Sequence, residues 1–145
     1  MTHEIPGLGR VLQSIPVKAW KTKRAVVLDW YDGPREGLCE LAQPSCGFYF
    51  KMFGAAADIH QPGNLFRISE IDLDLFRAVD AHLQAWQEST TNVWVPIWTF
   101  TDHHQRMTIE MGITNLIKTS RPTNLIICTN DMRLFKGFWY HIDIG

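Results

Sequence analysis

A chain of 145 residues, 46% hydrophobic and 20% charged, has the size of one domain and is too apolar to be a disordered chain. Its apolar runs end well short of the roughly 18 to 20 residues that a membrane-spanning helix needs. Residues 1–9 lack the basic lead and apolar stretch of a secretory leader, so a cytoplasmic protein is expected.

The net charge of −1 hides an uneven distribution. Up to Leu28, Glu4 stands against Arg10, Lys18, Lys21, Lys23 and Arg24, whereas residues 29–88 hold ten acids and four bases. The basic beginning and the acidic middle can attract one another within the fold, or the basic end can meet an anionic partner. Lys18, Trp20, Lys21, Lys23 and Arg24 mix charge with a ring as nucleic-acid-binding segments do. The near-neutral net charge and the acidic middle make nucleic acid an unlikely partner all the same.

Pro6, Gly7, Gly9 and Pro16 break up the opening, so residues 1–24 read as a basic arm packed on the body. Ala25 to Tyr31 alternates as a strand and ends at the turn Asp32-Gly33-Pro34. Gly37 to Leu41 returns as a second strand and Cys46 to Phe53 as a third. On the third, Phe48, Phe50 and Met52 share the more deeply buried face, opposite Tyr49, Lys51 and Phe53. Leu65 to Ile68 forms a short fourth strand, completing a meander. Ser69 and Asp72 open a helix over about residues 70–88, on which Leu75, Phe76, Val79, Leu83 and Trp86 recur at helical spacing. Val93 to Thr99 reads as a strand held to an edge or a bulge by Pro96.

Residues 102–119 fit two templates. Met107, Ile109, Met111 and Ile113 alternate as in a strand, while Ile109, Ile113, Leu116 and Ile117 make one helical face. Helix is the preferred reading, with Arg121-Pro122 as its stop. Asn124 to Thr129 and Phe138 to Ile144 are the closing strands. The order predicts an α+β protein, a single domain over residues 1–145, with a mostly antiparallel sheet and two helices packed on one face.

Few residues suggest chemistry. His141 and Asp143, two apart on a strand, could act as a general base or as metal ligands. His103 and His104 are adjacent, so their side chains diverge and they are poorly placed to grip one ion together. One of them could still join His141 and Asp143 from across the fold, which defines a small metal-assisted or His/Asp hydrolase as the rival reading. Asp29, an acid within an apolar strand, is expected on the exposed side, paired with Arg35 or Lys51. Cys39, Cys46 and Cys128 form an odd set without CxxC spacing, as reduced thiols do, although Cys39 and Cys46 could meet across a hairpin. No phosphate-binding glycine loop, nucleophile elbow or zinc motif is present, and no cofactor or metal is expected.

What the chain does have is rings: six Trp, three Tyr and eight Phe. Such residues serve cores and binding surfaces alike. The function expected is a non-catalytic binding protein that engages a protein or a small ligand through an aromatic sheet face or groove. Tyr31, Trp139, Trp30, Trp94 and Trp98 are its contact residues. A homo-oligomer joined through its aromatic surface is a third possibility.

Overall fold

A computed structural model describes residues 21–30, 34–43, 45–56, 63–87, 103–129 and 136–141. Four strands follow one another: β1 (Lys21–Trp30), β2 (Pro34–Gln43), β3 (Cys46–Ala56) and β4 (Gly63–Glu70). Helices α1 (Leu73–Gln87) and α2 (His103–Lys118) come next, then β5 (Arg121–Thr129) and β6 (Lys136–His141). The sheet order is β5-β4-β3-β2-β1-β6. The meander and β5 pair antiparallel, and β6 runs parallel to β1. The architecture is α+β, with a mostly antiparallel sheet.

β1 starts at Lys21, so Lys21, Lys23 and Arg24, expected in the arm, belong to the sheet instead. β5 likewise begins at Arg121-Pro122, where a stop was expected. Proline is tolerated there because β5 is the edge strand and Pro122 is only its second residue.

Both helices lie against one sheet face. Val26 and Leu38 pack with Ile71, Phe76, Val79 and Leu83 from the α1 region and with Ile109, Ile113 and Leu116 from α2. The helical reading of residues 102–119 therefore holds: Ile109, Ile113 and Leu116 turn inward while Met107 and Met111 project into solvent. Asp72 caps α1, its Oδ1 accepting from the Asp74 and Leu75 amides at 2.9 and 3.1 Å. This satisfies two of the donors that a helix start leaves open. At the same end of the helix pair, the Ser120 hydroxyl donates to the Ile117 carbonyl at 2.7 Å and closes α2.

The opposite sheet face is buried as well, by Ala25, Val27, Cys39, Leu41, Phe48, Phe50, Phe66 and Ile68. Phe50 meets Phe66 edge-on, with ring centroids 5.8 Å apart. The burial of Phe48 and Phe50 against the exposure of Lys51 and Phe53 is the two-faced β3 that alternation predicts. The strand expected over residues 93–99 lies outside the described residues.

Candidate functional site

Beyond the helices, the sheet face they cover continues as an open end. One register row crosses it through five strands: Asp29 (β1), Glu36 (β2), Lys51 (β3), Arg67 (β4) and Ile126 (β5). Residues directly opposite one another in a sheet share a face, so all five side chains stand together. Asp29, Lys51, Arg67 and Ile126 are exposed and Glu36 is half-buried. Glu36 accepts a hydrogen bond from the Tyr49 hydroxyl. Burial first, and this bond second, raise the Tyr49 phenol above its ordinary pKa.

The ladder between β3 and β4 shifts between Met52 and Gly54, so Phe53 sits at a bulge, which re-aims a side chain. Its ring is 44% exposed, and the Arg67 guanidinium lies over it, 4.6 Å from the centroid. Asp29, Arg35, Glu36, Lys51, Met52, Phe53 and Gly54 line a shallow groove of about 330 Å³ beside the stack. An aromatic plate under a guanidinium, ringed by both signs of charge, can grip a flat or extended ligand by stacking and ion pairing.

A second polar cluster joins the sheet to α1. Glu40 is 2% exposed and Asp80 4%, both nearly out of water. Glu40 takes Arg77 Nε at 3.0 Å and Lys23 Nζ at 3.9 Å. Asp80 takes Gln84 Nε2 at 2.6 Å and Arg24 Nε at 3.5 Å. The basic start of the chain thus meets its acidic middle, as the charge distribution suggested. A carboxylate buried this deeply is tolerated because cations and donors replace its water. The cluster is an internal clasp between β1, β2 and α1.

A cavity of about 770 Å³ opens where α1 begins and α2 ends, lined by Cys46, Ile71, Leu73, Leu75 and Arg121 among others. Arg121 pairs there with Glu70. Burial pushes the Cys46 thiol up to about 12, which leaves it protonated and a poor nucleophile at neutral pH. Cys39 is also raised, by burial above all, and its thiol donates to the Thr22 hydroxyl at 3.8 Å. No disulfide joins Cys39 to Cys46, so the hairpin bridge is not formed.

The residues expected to carry chemistry are not drawn together by any described contact. His103 and His104 open α2, both exposed. His141 closes β6 beside Val27 of β1, and Asp143 lies outside the described residues. Among the described residues no group of three or more His, Cys, Asp or Glu is placed to hold a metal ion. Asp29 is exposed as expected, in one groove with Arg35 and Lys51. Trp30 closes β1 and Trp139 lies on β6, opposite Ala25. Tyr31, Trp94 and Trp98 lie outside the described residues.

Sequence reasoning missed Arg67, Glu36 and the Glu40–Asp80 clasp. The strand alternation that placed Lys51 and Phe53 on the outer face carried part of the signal. Asp80, standing within the Phe76–Val79–Leu83 stripe of α1, carried another. Comparisons with protein-family models, with curated proteins and with solved structures find no match.

Proposed function

We propose that this is a non-catalytic binding protein whose contact surface is the open end of the sheet, with the Phe53–Arg67 stack at its centre. The observation that supports this reading is the contrast along β3: Phe48 and Phe50 are fully buried, whereas Phe53 keeps 44% of its surface in water with a guanidinium laid over the ring. Aromatic and Arg side chains in such a setting are the residue types that most often dominate binding energy. β1 ends at Trp30, one residue past Asp29, and Trp30 and Tyr31 are proposed to extend this surface. Trp94 and Trp98 remain proposed contacts; Trp139, whose register partner Ala25 belongs to the opposite sheet face, is not part of this surface. The partner is a protein, and an extended peptide, which the groove beside Phe53 suits, is the probe for it. The proposal includes a cytoplasmic home, with Cys39 and Cys46 kept as thiols that no disulfide joins, as in a reducing compartment.

Selection of a random peptide library on the purified protein, followed by titration of the recovered peptides, tests the reading. Peptides should bind the wild type and lose about tenfold or more in affinity on Phe53→Ala, the loss of one aromatic anchor, with far-UV circular dichroism unchanged. Recovery of no binder, or of binders indifferent to Phe53→Ala and Arg67→Ala, overturns it.

A further inference from the structure

We infer that the partner of this surface is a second copy of the chain, docked about a two-fold axis that passes between β2 and β3. The inference rests on the proposed contact surface and on the order of charge along its row. From β1 to β4 the row reads Asp29, Glu36, Lys51, Arg67: two acids directly opposite each other, then two bases directly opposite each other. Within one chain this is an unfavourable order, because like charges facing across adjacent strands repel and an alternating row would remove both repulsions. Only the central Glu36–Lys51 step is attractive.

Turned by a two-fold axis and laid on itself, the same order becomes fully complementary. Asp29 then faces Arg67 of the second copy, Glu36 faces its Lys51, and each pair occurs twice, as an isologous contact requires. A row of two acids followed by two bases is complementary to its own inverse. The surface has apolar material for such a contact: Phe53 is exposed beside Lys51, and Ile126 continues the row on β5, also exposed. Neither helix covers this end, since the helix-packed residues of the same face are Val26, Leu28, Leu38 and Tyr49, further along the strands.

Sedimentation equilibrium of the full chain, in low salt and in about 0.5 M salt where charges are screened within a few ångströms, is the test. The wild type should dimerise in low salt and dissociate more readily in high salt. Asp29→Arg sets a cation against Arg67 of the other copy twice over, and Arg67→Glu sets an acid against Asp29 twice over. Each variant alone should dimerise at least about tenfold more weakly, the scale expected for like-charge juxtaposition in an interface. An equimolar mixture should recover a heterodimer, because every repulsive pair becomes attractive again. Both positions are exposed, so both variants fold. A monomeric wild type, or a mixture no tighter than the separate variants, overturns the inference. If the chain stays monomeric yet its selected peptides still depend on Phe53, the proposed contact surface stands without self-association; if neither is seen, both readings fall.

Discussion

A methyl group at Gly37 would stand 2.4 Å from the Val26 carbonyl oxygen and 2.8 Å from Phe50 Cζ. The first contact is backbone and cannot swing away. Gly37 pairs with Phe50 across the β2–β3 ladder, so the bare backbone is what lets that ring lie flat against its neighbour strand. Gly37→Ala should therefore destabilise the protein by about 3 kcal/mol, the upper part of the usual range for overpacking a tight core. Gly54, with nothing within 4 Å of the same added atom, is the control: Gly54→Ala should shift the urea midpoint little. At this scale the sequence was readable where alternation governs, as for the faces of Phe48, Phe50 and Phe53. It was unreadable for Glu40, whose tolerance of burial depends on Arg77, 37 positions away in the chain.

Between elements, the two helices pack tightly at Gly112, where an added Cβ would lie 2.4 Å from Val79 Cγ2. The small residue on α2 receives the branched one on α1, a ridge set into a groove. Gly112→Ala should cost about 1 to 3 kcal/mol by overpacking. Val79→Ala, which by itself leaves a void, should relieve part of that cost, giving a non-additive double-mutant cycle in denaturant unfolding. A cycle that adds within about 0.3 kcal/mol would mean the helices do not meet there. The two-template ambiguity of residues 102–119 was settled at the same scale. The alternation of Met107 and Met111 with Ile109 and Ile113 counted hydrophobicity without knowing which side had a partner. Ile109, Ile113 and Leu116 have α1 and the sheet against them, whereas Met111 is 66% exposed. A helical face with a partner outweighs a strand pattern without one.

For the whole molecule, one cluster ties β1 and β2 to both helices, and the Glu40 and Asp80 clasp binds β1 and β2 to α1 a second time. No described element has a core of its own, so far-UV circular dichroism and near-UV signals should report one coincident unfolding transition in urea; separated midpoints would show an independent unit. Local pattern foretold the meander, both helices and the fold class. It foretold a closing strand from Phe138 but not its partner, because pairing a strand at the chain's end with β1 at its beginning leaves no local trace. That pairing carries a geometric demand. An unbroken row runs Tyr140, Val26, Leu38, Tyr49, Ser69, Pro122. β5 ends seven residues past this row at Thr129, and β6 starts four residues short of it at Lys136, in the same strand direction. Two of those seven are taken up by the register shift between Arg67 and Ser69, so on a flat sheet the two ends would lie about 30 Å apart along the strands and about 24 Å across them, yet the chain joining them reaches at most about 25 Å. The tether is too short for a flat sheet. The strands must coil, as the staggered strands of a barrel wall do. In a coiled sheet the helices and the cluster of Phe48, Phe50 and Phe66 lie on opposite sides of a curved wall rather than of a plane.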